Sequence, residues 1–235
     1  MKLIIFSIII AGASLIACSS HLAIDSTRNK ESISNEIKTD DKISSIIKPF
    51  KDSMDKKMNE VLGLSEHDFI VARPSSNLMN WFADAVFVNQ TRNVRLAQPL
   101  ICLLNTGGIR SSIGKGNVTL GDVYKIMPFE NTLVWVELPI SVIPEIETYL
   151  KQSGGEPIAN CKLIKGKLEV NGMRDNSRHI WVLTSDFLMN GGDKMDFFKK
   201  KTNENSTGKL LRDILIEEVK NQGTLVEVSE IRIIN

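Results

Sequence analysis

Residues 98–110 read QPLICLLNTGGIR, and this stretch decides the expected fold. Its first part, 98–104, is a continuous apolar run, which is typical of a strand buried on both faces of a sheet. Asn105 then leads into Gly107 and Gly108, which allow positive φ and close backbone approach. Arg110 closes the loop with a planar donor fork that matches phosphate. The stretch therefore predicts a ligand-binding loop after a buried strand; a simple turn with a surface arginine is the alternative.

Helix and strand patterns alternate on both sides of this stretch. A spacing of about 3.6 residues from Ile43 to Leu62 predicts an amphipathic helix that ends at Gly63. Pro49 marks either a kink in this helix or its true start. The remaining patterns predict helices near 78–86 (capped by Ser75 or Ser76), 119–127, 141–152 and 210–219. They predict strands at 69–72, 132–138 and 179–184. They also predict a hairpin over 161–170 that turns at Gly166, and a closing strand pair over 225–234. This mixed order predicts an α+β fold, a layered mixed β-sheet with flanking helices.

Composition narrows the functional class. The chain has 235 residues with 29 Lys+Arg and 28 Asp+Glu, a formal net charge of +1. Nucleic-acid binders need a surplus of basic residues to neutralise phosphates, so nucleic acid is not an expected partner. A hydrophobic content of 42% excludes wholesale disorder. Three histidines make a binuclear metal centre built by this chain alone hard to assemble.

The N-terminal residues resemble a secretion and lipidation signal. Residues 1–17 have one lysine followed by a short apolar run, and this pattern predicts a signal peptide. The sequence Leu15-Ile16-Ala17-Cys18 resembles a bacterial lipobox, so we expect lipidation of Cys18 and a lipid-anchored membrane lipoprotein in the bacterial cell envelope, on its periplasmic or surface face. An ordinary signal peptide with an incidental cysteine is the alternative. Polar residues 18–41 are interpreted as a flexible tether, and 42–235 as the folded domain.

Two further loops combine an aromatic side chain with polar residues. In 127–131, MPFEN, Phe129 follows Pro128 and is expected on a rigid turn; a phenylalanine that caps the core is the alternative. In 185–193, SDFLMNGGD, Phe187 precedes Gly191 and Gly192, and Asp193 ends the loop. Such a loop stacks a flat ring and accepts hydrogen bonds from hydroxyl groups, although a turn with an Asx cap has the same composition.

Taken in order, NTGGIR, PFEN and DFLMNGGD resemble the C-terminal, substrate-binding domain of the 5'-nucleotidase family. The resemblance includes RPSSNLMNWFADA at 73–85 and GNVTLGDVY at 116–124, and it covers about residues 50–235. It departs from the family at Thr106 and Lys194, where glycine is common, and at Pro74, which replaces an acidic neighbour of Arg73. These changes lie beside the expected pocket.

The resemblance implies how the matching residues would hold a nucleotide. The base would stack between Phe129 and Phe187, with a contribution of roughly 1–3 kcal/mol per stacked base. The resemblance gives the ribose hydroxyls to Asp193, the phosphate to Arg110 and Arg73, and further polar contacts to Asn105 and Asn131, with Gly107, Gly108, Gly191 and Gly192 forming the two glycine loops.

The catalytic half of that family is not expected in this chain. Family members carry two divalent metals on a preceding metallophosphoesterase domain, and this sequence has none of its D-x-H, G-N-H and G-H-x-H motifs. We therefore expect no catalytic residue and no metal ligand here, and two divalent metals on a separate metallophosphoesterase subunit. The leading hypothesis is a nucleotide-recognition domain of a split 5'-nucleotidase. The alternatives are a non-catalytic nucleotide- or nucleoside-binding lipoprotein, and a structural lipoprotein with a vestigial pocket.

Two cysteines other than Cys18 leave one question open. Cys102 lies within the buried run and Cys161 begins the expected hairpin. Both fit buried free thiols, and a disulfide between them is the alternative outside the cytoplasm. Trp81, Trp135 and Trp181 are expected in the core.

Overall fold

A computed structural model describes residues 40–94 and 97–234. The chain divides into two compact units after Ser45, and the second unit, from Ile46 onward, contains the sheets and all but the start of the first helix. The expected signal peptide, Cys18 and nearly all of the expected tether lie outside the described residues. Within the described ranges, no helix is both long enough and apolar enough to cross a membrane.

Helix α1 spans Asp41–Met58 with Pro49 inside it. The predicted helix end at Gly63 is wrong, because Val61–Ser65 forms strand β1 instead. β1 pairs antiparallel with β3, Gly116–Thr119. Burial explains the difference, since Val61 is exposed and Leu62 is buried, as successive residues of a strand are. Gly63 packs closely against Gly223, whose carbonyl oxygen would lie 2.8 Å from an added Cβ.

The other predicted helices are confirmed. α2 spans Asn77–Thr91, and Ser76 caps it by accepting a hydrogen bond from the Met79 N–H. α3 spans Leu120–Ile126 and begins with a complete capping box, in which Asp122 takes the place of the usual glutamate or glutamine. α4 spans Ile143–Gln152 after a 3-10 turn at Ile140–Val142, α5 spans Asp186–Met189, and α6 spans Leu211–Gln222.

A five-stranded mixed sheet forms the middle of the fold. Its order is β5 (Ile158–Ala159), β2 (Leu100–Leu103), β8 (His179–Ser185), β4 (Thr132–Pro139) and β9 (Asn203–Leu210). β2 and β8 are parallel, and the other neighbouring pairs are antiparallel. Leu100 and Cys102 pack with residues of α2 and α6, whereas Ile101 and Leu103 pack with residues of α4. The prediction of a strand buried on both faces, and of an α+β layered fold, is confirmed.

A smaller sheet contains the predicted hairpin. β6 (Cys161–Ile164) and β7 (Lys167–Val170) turn at Lys165 and Gly166, and β10 (Ile233–Ile234) runs parallel to β6. The predicted strand pair over 225–234 is wrong except for β10. Side chains of α2 hold this segment instead: Asn80 Nδ2 donates to the carbonyl oxygens of Val228 and Glu230 at 2.9 and 2.7 Å, and Asp84 forms a two-pronged pair with Arg232 at 2.8 and 2.7 Å.

Two further strand assignments differ from the prediction. The predicted strand at 69–72 is reduced to an isolated bridge between Phe69 and Ile113. The Ile70 N–H donates a hydrogen bond to Asn77 Oδ1 instead of to a neighbouring strand. β9 was not predicted, because its sequence NENSTGKL is polar and it lies at the exposed edge of the sheet. An edge strand of this kind shows no apolar alternation.

Two cysteines and one tryptophan are buried in the core, whereas the other two tryptophans are only partly buried. Cys102 and Cys161 are both buried free thiols in the structure. Burial raises the pKa of Cys161 to about 12 and that of Cys102 well above its ordinary value. Trp81 is in the core as predicted, but Trp135 and Trp181 are only partly buried and meet edge to face at 6.4 Å beside a surface cavity.

Candidate functional site

The sheet topology brings the three predicted loops to one edge. β2 and β8 are parallel neighbours, so the loops that follow them leave the sheet on the same side. β4 runs antiparallel to β8, with Leu133 opposite Ser185, so the loop that precedes β4 reaches that same side. Ligands of open sheets commonly bind outside the carboxyl ends of the strands. The site therefore follows from strand order and not from closeness in sequence.

These loops enclose a cavity of about 290 Å³. This volume is close to the lower end of the range for small-molecule sites. All of its lining residues belong to the set predicted from the sequence: Asn105, Gly107, Gly108, Arg110, Phe129, Asn131, Phe187 and Asp193. Gly191 and Gly192 adjoin it, and Arg73 does not line it.

Phe187 is supported by the glycine pair that follows it. A Cβ added at Gly192 would lie 2.5 Å from Phe187 Cε1, so the ring packs directly on the Gly192 backbone. Gly191 adopts a left-handed conformation with φ of 91°. The Phe187 side chain remains 46% exposed, which leaves ring surface available to a ligand.

Phe129 is supported by an arginine that the sequence did not reveal. The Nη1 of Arg212, on α6, donates to the carbonyl oxygens of Pro128 and Phe129 at 3.3 and 3.5 Å. The guanidinium carbon of Arg212 also lies 4.2 Å from the centre of the Tyr124 ring, in a cation–π contact. Phe129 itself is 40% exposed, so it does not cap the core. Nothing in the local pattern around Arg212 signals this role, because the contact joins residues that are distant in sequence.

Asp193 and Asn105 connect the two glycine loops. Asn105 Nδ2 donates to Asp193 Oδ2 at 2.6 Å. The Asn105 side chain lies over the first loop, since a Cβ at Gly108 would be 2.8 Å from its Oδ1. Asp193 and Lys194 have positive φ values of 51° and 65°. Positive φ is uncommon for residues other than glycine, and strained backbone of this kind clusters at active sites and ligand clamps.

Arg110 lies at the rim of the cavity. Its backbone N–H is fixed by the Ile126 carbonyl oxygen at 2.9 Å. Its guanidinium carbon is 5.9 Å from the centre of the Phe129 ring, and its Nη1 makes one long hydrogen bond of 3.4 Å to the Gly107 carbonyl oxygen. Most of the donor fork therefore remains available to an anion.

Arg73, the second arginine expected to bind phosphate, does not line this cavity. Its Nη2 donates to Glu156 Oε1 at 2.9 Å, and its Nη1 contacts the Ser153 carbonyl oxygen. Arg73 and Glu156 line a neighbouring polar cleft, which shares Asp193 with the first cavity. Buried Glu156 holds Arg73 there, because its carboxylate needs a compensating charge in the interior.

Glu156 also explains why Thr106 stands where glycine was expected. Glu156 Oε2 accepts hydrogen bonds from the Thr106 N–H at 2.6 Å and from Thr106 Oγ1 at 2.7 Å. The hydroxyl thus ties the glycine loop to a buried carboxylate. Burial, together with the negative charges of Glu156 and Asp193, raises the pKa of nearby Tyr149 to about 12, so its phenol stays protonated at neutral pH. No motif in the sequence points to Glu156.

No candidate metal centre occurs in the part of the chain that the structure describes. Across residues 40–94 and 97–234, no group of three or more His, Cys, Asp or Glu side chains is arranged to hold a metal ion. The site offers stacking surface, the largely available guanidinium of Arg110 and a fixed carboxylate, which are means of binding a ligand.

Comparison with known proteins agrees with this geometry. Residues 61–145 match the family model described as 5'-nucleotidase, C-terminal domain. The chain is 28% identical over 207 residues to the trifunctional nucleotide phosphoesterase protein YfkN of Bacillus subtilis, covering 75% of this chain and 14% of that protein. It is 26% identical over 223 residues to the protein UshA of Yersinia enterocolitica, covering 86% of this chain and 38% of UshA.

Solved structures show the same fold. A 5'-nucleotidase precursor from Thermus thermophilus superposes with a TM-score of 0.66 at 24% identity, over 81% of this chain and 42% of that one. The NAD nucleotidase of Haemophilus influenzae superposes with a TM-score of 0.61 at 19% identity, over 83% of this chain and 41% of that one. The chain therefore spans less than half the length of these relatives. Residues 61–145 are thus similar to the C-terminal domain of 5'-nucleotidases, and the chain has the fold of the corresponding part of these solved structures.

Proposed function

We propose that this chain is the nucleotide-recognition component of a 5'-nucleotidase-type phosphohydrolase. The observation that carries the proposal is that Phe129, Phe187, Asp193 and Arg110 all line the same cavity. Two half-exposed rings, a carboxylate and a guanidinium match the three parts of a nucleotide: an aromatic base, a sugar diol and a phosphate.

The base would stack on the exposed faces of Phe129 and Phe187. Stacking tolerates different bases because every base has a flat π face. Asp193 would accept hydrogen bonds from the ribose hydroxyls, with its carboxylate oriented by Asn105. Asn105 and Asn131 would supply further polar contacts.

The phosphate would lie at Arg110, whose donor fork is largely unused within the protein. Arg73 would approach the phosphate from the neighbouring cleft, which shares Asp193 with this cavity; Glu156 and Ser153 orient its guanidinium, and its side chain remains 44% exposed. Both arginines would orient the phosphate, and we assign its cleavage to groups outside this chain.

Hydrolysis would occur on a separate metallophosphoesterase polypeptide that holds two divalent metals. Such metals supply an activated water and stabilise the charge that develops on the phosphate. This chain would hold the base and sugar in place, so that the phosphate meets the metals in a fixed orientation. Lipidation of Cys18 would confine the chain to a membrane surface and raise its effective concentration toward a partner on that surface.

The test combines binding with phosphate release. Calorimetric titration of the purified chain should detect both AMP and adenosine, and Arg110→Ala should weaken AMP by about 1.5–3 kcal/mol while leaving adenosine nearly unchanged. Equal losses for the two ligands would contradict the phosphate role of Arg110. Absence of binding by either ligand would leave only a structural lipoprotein with a vestigial pocket.

A second assay separates recognition for hydrolysis from capture alone. Phosphate release from AMP should be absent with the chain by itself, and should rise when a metallophosphoesterase encoded beside it is added. Binding without release in that mixture would favour the alternative function, a non-catalytic nucleotide- or nucleoside-binding lipoprotein.

A further inference from the structure

Helix α1 presents an uncovered apolar face. The side chains of Ile46, Ile47, Phe50 and Met54 are 60%, 52%, 75% and 61% exposed. At about 100° per residue, these four positions fall within one arc of about 100°, which is the width of a helix face that normally packs against another surface. No residue of α1 is buried. The face is therefore complete but has nothing packed on it among the described residues.

An uncovered helix of this kind gains little stability from its own sequence. α1 has 18 residues, close to the length below which isolated helices are marginal in water. Pro49 removes a backbone donor from its interior. Four large apolar side chains also stay in water, and their burial is what normally stabilises an amphipathic helix. A surface that covers the face would therefore stabilise the helix considerably.

The charges of the helix identify the kind of surface. Between Ile46 and Met58 there are four lysines and two aspartates, and Asp52 is paired with Lys48 at 3.0 Å. Lys51 flanks the apolar arc, and Lys57 lies within its angular range beyond Met54; their flexible stems extend from an apolar layer to a charged one. Two copies of this segment would each carry an excess of lysine, and this net repulsion disfavours pairing of the helix with itself. A basic amphipathic helix is typical of binding at an anionic membrane surface.

We propose that α1 binds an anionic lipid surface, with Ile46, Ile47, Phe50 and Met54 inserted into the headgroup boundary and the lysines at the phosphate level. If Cys18 is lipidated as expected, α1 adds a second membrane contact and holds the folded domain close to the bilayer. This proposal does not depend on nucleotide binding.

Hydrogen exchange on the full chain tests the proposal. The chain is mixed with vesicles of phosphatidylcholine alone, or with vesicles that contain three parts in ten of phosphatidylglycerol, and exchange of the 46–58 amides is followed by mass spectrometry. We expect these amides to exchange at least tenfold more slowly on the anionic vesicles than on the neutral ones. Phe50→Ser should abolish the protection. Asp52→Ser introduces the same residue outside the apolar arc and should retain it.

Every other outcome overturns the proposal. Protection that is equal on both kinds of vesicle would show that binding of α1 does not depend on the charge of the lipid. Protection that rises with protein concentration in the absence of vesicles would identify a second copy as the occupant, and protection that appears only with a metallophosphoesterase would identify a protein partner. Equal loss in the Phe50→Ser and Asp52→Ser variants, with an unchanged melting temperature of the domain, would assign the effect to helix propensity.

Discussion

Asn105 Nδ2 and Asp193 Oδ2 are 2.6 Å apart, and this hydrogen bond joins the glycine loop that follows β2 to the glycine loop that follows β8. Hydrogen bonds to an ionised acceptor are stronger than neutral ones. The bond fixes one oxygen of the carboxylate and leaves its remaining lone pairs for a ligand. The two loops therefore form one binding surface, although they are separated by most of the sheet in sequence.

The role of Asp193 can be tested with a ligand that lacks the ribose diol. The unmodified chain should bind adenosine more tightly than 2',3'-dideoxyadenosine, by about 1.5–3 kcal/mol for hydrogen bonds to a charged acceptor. In Asp193→Ala this difference should disappear, because the acceptor is gone, while the stacking contribution remains. Calorimetry with both ligands on both proteins measures it. A difference that persists in the variant would show that the diol is bound by another group.

Gly192 is predicted to control ligand affinity through Phe187. An added Cβ would lie 2.5 Å from Phe187 Cε1, so Gly192→Ala must displace the ring. We expect weaker binding of both AMP and adenosine, by at most about 1–3 kcal/mol, the value of one stacked base. Gly114→Ala is the matched control, because an added Cβ there meets no atom within 4 Å. Unchanged affinity in Gly192→Ala would mean that Phe187 does not stack on the ligand.

Glu156 should stabilise the domain and orient the glycine loop. It is 4% exposed and accepts hydrogen bonds from Arg73 and from the N–H and hydroxyl of Thr106. Glu156→Ala should lower the free energy of unfolding by about 1.5–3 kcal/mol, since two partly buried donors of Thr106 lose a charged partner. Loss of the Arg73 pair adds little to this cost, because Arg73 is partly exposed and its guanidinium can be rehydrated.

A surface pair provides the comparison for Glu156. Glu145 pairs with Lys200 at 2.6 Å, and both side chains are well exposed. Glu145→Ala should therefore cost less than about 1 kcal/mol in urea unfolding. Glu156→Gln, which retains one acceptor oxygen, should recover part of the loss in stability. Equal effects of Glu145→Ala and Glu156→Ala would contradict a structural role for the buried carboxylate.

The sequence predicted the part of the site that depends on strand order. The loops with Arg110, Phe129 and Asp193 each adjoin a strand whose pattern was visible, so their meeting at one edge followed once the sheet formed. The location of Arg73 in a neighbouring cleft could not be predicted, because its direction depends on Glu156, which is distant in sequence and belongs to no recognisable motif. Arg212 was missed for the same reason.

The errors in the fold have a common physical origin. β1 was predicted as the end of a helix because Val61 and Leu62 extend the apolar spacing of α1, and only the pairing with β3 distinguishes the two states. β9 was missed because an exposed edge strand has no apolar alternation. Tertiary pairing decided both cases, and a local pattern contains no information about a distant partner.

The capping box of α3 gives a prediction about pH. Partial burial of Asp122 favours its neutral form, but the hydrogen bonds from the Thr119 side chain and backbone, with those of Lys125, outweigh this and lower its pKa below the ordinary value of 3.8. A carboxyl group whose pKa is lower in the folded state stabilises the protein above its unfolded pKa, and this contribution is lost as the pH falls through the folded pKa. Thr119→Val removes the hydroxyl that holds Asp122 and should cost about 0.5–2 kcal/mol at pH 6, as is usual for loss of a helix cap. The difference between the two proteins in urea unfolding should become smaller at pH 3, because Asp122 begins to be protonated in both.

Thr148→Val is the control, since the Thr148 hydroxyl donates to the Pro144 carbonyl oxygen and no carboxylate is involved, so its cost should be the same at both pH values. A Thr119→Val difference that does not change between pH 6 and pH 3 would show that the hydroxyl acts on the backbone of α3 alone and not through the charge of Asp122.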